Sequence, residues 1–334
     1  MNINSNKYNW WTLLLVACAI FSACEKQPAS TQNTISFGSG RKQAPSAINA
    51  LLWGYTNSGD VVNAGAVIFD GVEAEYKGEI LTPDVTRYWA DNQTYNFYSV
   101  WPVVTDNGIS SIAFDKTNSQ LSFSADISTQ NDNTDFCIAA AVGEEGGADR
   151  ERAVQMTYKH ALSKVQFYGF SSTAGITAQL TNFTITVPKS STAVCTLEED
   201  TKERTTENDV TTEYPLVITY NLDPNNDNVV DSIDLFVSNI ENPFELKHSS
   251  ENSNGTFVLE KLVLPMQNGT FHVAATYKIG DNTKTVETDI TATWQPGKNY
   301  IYKFKIQPAG PIIFADEVII NDWDEEIPAG DVQF

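Results

Sequence analysis

The sequence predicts an all-β fold, because apolar residues alternate with polar ones along several short segments. Alternation with a period of two is typical of strands that bury one face and expose the other. The pattern occurs in residues 183–187, 233–237, 270–279 and 299–306. Clusters of turn-forming residues separate such segments, and no amphipathic helical pattern exceeds about three turns. Many short strands between turns favour β-sandwiches.

The N-terminus has the pattern of an export signal followed by a lipid-attachment cysteine. Residues 1–9 are polar with one lysine, and an apolar run covers residues 10–23. This order describes a secretory signal, and the run is shorter than the roughly 20 residues that span a bilayer. Small residues precede both Cys18 and Cys24, so that each resembles the acylated cysteine of a bacterial lipobox. We favour Cys24, because cleavage at Cys18 would leave a very short apolar core; the remaining alternative is an ordinary signal peptide.

The charge and length of the chain restrict its function class and its organisation. The 334 residues include 42 acidic and 21 basic ones, which gives a net charge of −21. Nucleic-acid binding requires a basic face, so the sequence predicts no nucleic-acid partner. Without its signal, a chain of this length suits two domains. Beyond the signal the cysteines are Cys137 and Cys195, which are expected to be buried thiols rather than a disulfide.

These features predict an organisation with a domain boundary near residues 160–175. The predicted segments are a signal peptide (1–24), a flexible tether (25–34), an N-terminal β-sandwich (35–168), a C-terminal β-sandwich (169–310) and a C-terminal strand with an acidic tail (311–334). The tether is expected to be a flexible link between the lipid and the first domain.

The residues that commonly carry catalysis or bind metals form no recognised motif. His160, His248 and His272 have no metal-ligand spacing to one another or to a cysteine. The sequence contains no nucleophile elbow and no phosphate-binding glycine loop. Acidic residues are abundant, but their densest clusters fall in loops, which are poor places to hold a catalytic pair. The sequence therefore predicts that the protein is not an enzyme and holds no cofactor and no metal ion.

One acidic segment is similar to a calcium-binding loop. Oxygen donors follow the spacing of such a loop at Asp223, Asn225, Asp227, Asp231 and Asp234. The segment lacks the central glycine, the final glutamate and the flanking helices of that motif. An Asn/Asp-rich turn between two strands is the commoner interpretation.

Several segments, taken in order, resemble the fimbrillin family, the type V pilins and fimbrillin-like lipoproteins of Bacteroidales. They are the aromatic stretch 88–102, M-T-Y-K-H-A-L-S-K-V at 156–165, L-V-L-P-M-Q at 262–267, W-Q-P-G-K-N-Y-I-Y at 294–302 and a terminal strand ending at Trp323. The second is similar to the signature F-x-H-x-L-(S/A)-K-V near the middle of family members, and the third to their L-L-P-Q segment. Together they span most of the sequence beyond the signal.

This resemblance implies two transthyretin-like β-sandwich domains in tandem and polymerisation by donor-strand exchange. In such pilins a trypsin-like protease cuts after a basic residue just past the first strand, and the terminal strand of another subunit fills the opened groove. Residues 34–37 match the first strand and Arg41 the cleavage site, unless the basic pair lies in an uncut surface loop. Residues 311–320 match the donated strand, or they complete the C-terminal sandwich instead.

Together with the N-terminal signal, the resemblance implies a structural or adhesive subunit of a cell-surface pilus, exported as a lipoprotein of the outer membrane. Its expected partners are other pilin subunits, the outer membrane through the lipid anchor, and a host or glycan receptor. The alternative is a surface lipoprotein that does not polymerise and binds glycans or host proteins through exposed aromatic residues.

Overall fold

The structure, a computed structural model, describes residues 33–39, 48–57, 64–77, 80–103, 108–116, 118–129, 135–147, 150–197, 205–206, 209–210, 216–222, 232–308 and 310–323. Within these ranges the protein is all-β, apart from a short 3-10 helix at Ile127–Thr129. This confirms the all-β prediction. No helix in the same ranges is long and apolar enough to cross a membrane.

The strands are numbered in sequence order. The first are β1 (Phe37–Ser39), β2 (Ile48–Asn57), β3 (Ala64–Lys77), β4 (Ile80–Pro83), β5 (Thr94–Trp101), β6 (Ile109–Asp115), β7 (Gln120–Asp126), β8 (Cys137–Glu145), β9 (Val154–Met156), β10 (Tyr158–His160), β11 (Ser163–Ser171) and β12 (Ala178–Pro188). The others are β13 (Ser190–Leu197), β14 (Thr205–Thr206), β15 (Asp209–Val210), β16 (Leu216–Tyr220), β17 (Ser232–Ser238), β18 (Phe244–Leu246), β19 (Thr256–Val263), β20 (Met266–Ile279), β21 (Asn282–Trp294), β22 (Lys298–Ile306), β23 (Ile313–Phe314) and β24 (Ile319–Asp322).

The N-terminal half builds one large sheet. Within the described residues it has eight strands in the order β10-β8-β5-β2-β3-β4-β1-β9. Neighbouring strands are antiparallel except β1 and β9, which are parallel. The short β1 therefore lies inside the sheet, next to its last strand, although it comes first in the sequence.

The remaining strands form smaller sheets. Their strand orders are β19-β11-β22-β23, β17-β12-β20-β21, β16-β13-β7-β6 and the pair β14-β15. In addition, β24 pairs with β22, and β18 pairs with β12. Because β7 pairs with β13, one of these sheets contains strands from both sides of the predicted boundary at residue 168. That residue lies inside β11. The two predicted domain ranges stay a prediction.

Two groups of buried apolar side chains hold the sheets together. The N-terminal core includes Phe37, Phe69 and Phe97. The main core is larger and has members from Trp53 in the first half of the sequence to Ile312 in the second, including Tyr98 and Trp294. Phe97 and Tyr98 are neighbours in β5 that belong to different cores, because successive side chains of a strand point to opposite faces. Both faces of the large sheet are therefore covered.

The predicted alternation is confirmed along β20 and is incomplete along β22. In β20, Phe271, Val273 and Tyr277 are buried, as expected for one face of a strand, while His272 is exposed. In β22 the intervening residues are buried too, including Ile301 and Lys303. The expectation of one solvated face is wrong for β22, because this strand runs between β11 and the C-terminal strands.

Buried tyrosines make the stability of the main core dependent on pH. Burial raises the pKa of Tyr302 from 10.0 to about 12, although the hydrogen bond from Trp294 lowers it in part. Since the folded pKa lies above the unfolded one, the stabilisation is complete below pH 10 and is lost as the pH rises towards 12. We expect a thermal midpoint that falls in this range, with Tyr302 contributing up to about 3 kcal/mol.

A thermal melt followed by circular dichroism at increasing pH checks this expectation. Tyr302→Phe should remove part of the alkaline slope, whereas Tyr88→Phe, at an exposed side chain, should leave it intact. An identical slope in the wild type and in Tyr302→Phe would contradict the assignment to Tyr302.

Candidate strand-acceptor groove

The first described segment of the protein occupies a slot between two strands of the large sheet. β1 pairs antiparallel with β4, where Phe37 is opposite Leu81, and parallel with β9, where Phe37 is opposite Val154. Thr34 forms an isolated bridge to Tyr88. The predicted first strand at residues 34–37 is thus extended and paired, although the regular strand begins only at Phe37.

Backbone hydrogen bonds fix this segment on both sides. On one side, Ile35 N–H donates to the Arg87 carbonyl at 2.8 Å, and Trp89 N–H donates to the Asn33 carbonyl at 3.1 Å. On the other side, Val154 N–H donates to the Ser36 carbonyl at 2.8 Å. The segment therefore satisfies backbone groups of both its neighbours, which would otherwise be unpaired sheet edges.

The side chains of this segment alternate between core and solvent. Thr34 and Ser36 are exposed, whereas Ile35 is 6% and Phe37 2% exposed. The Phe37 ring packs edge-on against Phe97, with ring centroids 5.1 Å apart. A local sequence of polar and apolar residues in alternation thus gives one strand face that belongs to the N-terminal core.

We use the name first-strand groove for the slot that this segment fills. On the side of the N-terminal core it is lined by buried apolar residues: Phe69, Leu81, Phe97, Val154 and Met156. If residues 33–39 left, this apolar lining and the facing backbone groups of β4 and β9 would be exposed to water. A groove of that kind accepts an extended peptide whose alternate side chains are apolar.

The C-terminal strands pair along β22, in a different sheet. β24 pairs antiparallel with β22 from Lys298↔Asp322 to Ile301↔Ile319, and β23 pairs with Phe304 and Lys305. Ile320 is 55% exposed, so β24 buries only one of its faces. The segment predicted as a donated strand, residues 311–320, therefore completes a sheet of its own subunit here.

Most of the predicted site residues lie outside the described residues. These are Cys24, Arg41, Asp223, Asn225, Asp227 and Asp231. Asp234 is described: it lies on β17, is exposed, and accepts a hydrogen bond from the Thr186 hydroxyl at 2.6 Å. The structure gives no geometry for the calcium loop as a whole, for acylation at Cys24 or for cleavage at Arg41, which stay predictions.

The structure brings together three residues that their sequence spacing did not connect. β8 and β10 pair so that Cys137 lies opposite His160, and Asp135 precedes Cys137 by two residues. The Asp135 Oδ2 atom is 2.5 Å from His160 Nδ1 and 3.0 Å from Cys137 Sγ. The only signal in the sequence is Asp135 and Cys137 at alternate positions, which would place both side chains on one face of an extended segment.

Cys137 and Cys195 are buried and form no disulfide, as expected. They differ in their surroundings. Cys195 belongs to the main core, where burial raises its pKa from 9.0 to about 12. Cys137 instead faces the His160 imidazole, with Sγ 3.7 Å from Nδ1. Cys195 is thus an inert core thiol, and Cys137 belongs to a polar cluster.

Comparison with protein families gives one match that covers most of the sequence. A family model described as fimbrillin-like matches residues 46–323. This range contains every predicted motif from the aromatic stretch at 88–102 to Trp323. A search of curated proteins gives no match.

Solved structures from Bacteroidales also resemble this protein at low identity. A candidate cell adhesion protein from Bacteroides uniformis is 16% identical with a TM-score of 0.49, covering 89% of this chain and 100% of its own. A second candidate cell adhesion protein, from Bacteroides ovatus, is 14% identical with a TM-score of 0.46, over 89% and 99%. A fimbrial assembly protein from Parabacteroides distasonis is 8% identical with a TM-score of 0.40, over 87% and 99%.

Proposed function

Because the chain belongs to the fimbrillin-like family, we propose that it is a structural or adhesive subunit of a cell-surface pilus. It is exported as a lipoprotein acylated at Cys24 and reaches the outer membrane. A protease then cuts after Arg41 and releases the first strand, and the terminal strand of another subunit fills the first-strand groove. The architecture that accompanies this proposal is two transthyretin-like β-sandwiches in tandem.

The position of β1 is the observation that carries the proposal. β1 is a short strand at the start of the described residues, yet it lies between β4 and β9 rather than at an edge. Its residue Phe37 is buried in the N-terminal core, and Arg41 follows its last residue, Ser39, by two positions. A cut there would fall between β1 and β2, the next described strand, and would separate β1 from the rest of the sheet.

The chemistry of the groove supports exchange of one strand for another. The leaving segment presents Ile35 and Phe37, two apolar side chains at alternate positions. Residues 311–320 offer the same pattern twice, at Ile312 with Phe314 and at Val318 with Ile320. A strand with this pattern can restore the backbone hydrogen bonds and fill the apolar slot.

Limited trypsin digestion of protein that begins at Glu25 tests the proposal. We expect a new N-terminus at Lys42 or Gln43, followed by growth in mass measured by light scattering and ladders on gels. The matched control is Arg41→Gln combined with Lys42→Gln, which should stay monomeric under the same digestion. A cut at this position that leaves a stable monomer, or no cut there, would overturn polymerisation by this route.

A second candidate is a surface lipoprotein that binds a ligand without polymerising. Exposed aromatic side chains favour it: Tyr88 is 52%, Phe236 62% and Phe257 47% exposed. Such rings are suitable for stacking on sugars or on a protein partner. A trypsin-resistant monomer that binds a glycan or host protein, and loses binding when one of these rings is removed, would support this function.

A further inference from the structure

The cluster of Asp135, Cys137 and His160 lies at the outer end of the large sheet. Among the described strands β10 is the edge strand at the end of the sheet opposite β9, and its residue His160 is paired with the first residue of β8, Cys137. The backbone register thus fixes two of the three side chains next to each other. Asp135, which lies just before β8, adds a carboxylate to the same group.

The polar atoms of the cluster converge on one point. The carboxylate, thiol and imidazole each offer one ligand atom, and these atoms lie within 4.8 Å of one another. Both Asp135 Oδ2, at 2.5 Å, and Cys137 Sγ, at 3.7 Å, face the same imidazole nitrogen, Nδ1 of His160. A catalytic triad needs the carboxylate and the nucleophile on opposite ring nitrogens, so this geometry does not fit a nucleophilic thiol.

We propose that Asp135, Cys137 and His160 bind a zinc ion. Zn²⁺ prefers sulfur, imidazole and carboxylate ligands at about 2.0–2.3 Å in tetrahedral geometry, which places ligand atoms about 3.3–3.6 Å apart. The distance of 3.7 Å between Sγ and Nδ1 already matches this spacing. The Asp135 carboxylate lies closer and has to move outward by less than an ångström, which a rotation of its side chain provides.

Zinc binding displaces protons from the ligand atoms. The ion takes the Cys137 sulfur as thiolate, Nδ1 of His160 as neutral imidazole and Asp135 as carboxylate. The thiol proton is released to water, and the neutral imidazole carries its one proton on Nε2, since Nδ1 binds the metal. Three protein ligands leave a fourth position, which water fills in zinc sites of this kind.

The surroundings of the cluster are suitable for a small ion. Cys137 is fully buried, whereas the side chain of Asp135 is 19% exposed and gives access from solvent. The Trp323 ring stacks on the His160 ring, with centroids 4.2 Å apart and planes 7° from parallel. Stacking covers a face of the imidazole and holds its orientation, while the ring edge with Nδ1 points to the other two ligands.

A metal titration tests the proposal. Untagged protein that begins at Glu25 is titrated with Co²⁺ and then with Zn²⁺, and excess Mg²⁺ is present to occupy surface carboxylates. We expect about one equivalent of Co²⁺ to give thiolate charge-transfer and tetrahedral visible bands that Zn²⁺ abolishes. Asp135→Asn, Cys137→Ser and His160→Asn should each lower the affinity for the metal at least about tenfold. Mutating a residue that only hydrogen-bonds to a metal ligand already lowers metal affinity by about that factor.

Two control variants distinguish metal binding at this site from nonspecific metal binding by an acidic protein. His272 lies on the surface with Asp289 Oδ1 at 2.9 Å from its Nδ1, so His272→Asn removes a matched exposed histidine–carboxylate pair. Cys195→Ala removes the other thiol. Both should leave the affinity and the cobalt spectrum unchanged.

Asp135→Asn is the decisive variant, because a nearly isosteric change at a partly exposed side chain should keep the fold, as circular dichroism can verify. Binding without a thiolate band, binding that Asp135→Asn leaves unchanged, or no binding at micromolar Zn²⁺ would each overturn the proposal. The outcome does not depend on whether the protein polymerises, since the ligands belong to β8, β10 and the segment before β8 and not to β1.

Discussion

Phe37→Ala is expected to weaken the docking of the first strand by about 3–5 kcal/mol, the usual cost of truncating a buried aromatic side chain. Phe37 is 2% exposed and contacts Phe69 and Phe97, whose ring centroids lie 5.8 and 5.1 Å away. Because β1 pairs only with β4 and β9 among the described strands, the loss should open this segment before the rest of the protein unfolds. Amide hydrogen exchange measures the opening directly.

The reporters of this opening are the backbone amides that bond to the first segment. The amides of Ile35, Trp89 and Val154 should exchange about 100-fold faster or more in the variant, since about 1.4 kcal/mol corresponds to tenfold. The amide of Val273, in β20, is the internal reference and should change little. Ser36→Ala, at an exposed position of the same segment, is the matched control.

Two outcomes would contradict the role given to Phe37. If exchange at the three amides were unchanged, the ring would not hold the segment in its groove. If Val273 exchanged faster by the same factor, the first segment would be part of the global folding unit, and its removal would unfold the protein rather than open a groove.

Trp294→Ala is expected to lower the free energy of unfolding by about 3–5 kcal/mol. The Trp294 side chain is fully buried, stacks on Phe271 with ring centroids 3.8 Å apart, and donates its indole N–H to the Tyr302 hydroxyl at 2.8 Å. Truncation creates a cavity in the main core and leaves that hydroxyl without its donor. Urea unfolding followed by circular dichroism gives the change.

Two milder variants divide this effect into packing and hydrogen bonding. Trp294→Phe keeps an aromatic ring against Phe271 and should cost less than Trp294→Ala. Tyr302→Phe keeps the packing but leaves the indole N–H buried without an acceptor, at a cost of about 1–3 kcal/mol. An unfolding midpoint of Trp294→Ala equal to that of the wild type would show that the main core does not depend on this residue.

The sequence predicted the strands well where side-chain direction is a local property. The alternate burial of Phe271, Val273 and Tyr277 follows from the pleat of one strand, and so does the burial of Ile35 and Phe37. The burial of Lys303 could not be predicted in this way. It depends on which strands flank β22, and the strand on one side of it, β11, lies far away in the sequence.

The candidate sites show the same division between local and non-local information. The family resemblance predicted the first strand, but its parallel pairing with β9 brings Phe37 next to Val154, which lies far along the sequence. Asp135 and Cys137 lie close in sequence, whereas His160 joins them only through the register of β8 and β10. A search for short metal-binding spacings cannot find ligands that sheet pairing brings together.

The covalent connection of β1 to the rest of the chain has a kinetic consequence for the strand exchange proposed above. Tethered strands compete for a groove at an effective concentration of about millimolar. Under the proposed strand exchange, subunits at micromolar concentration would face an intramolecular competitor about a thousandfold more concentrated. An uncut subunit would then close its own groove before a second one could reach it. In this view, cleavage of the single peptide bond after Arg41 converts a self-inhibited monomer into a subunit whose first strand can be exchanged.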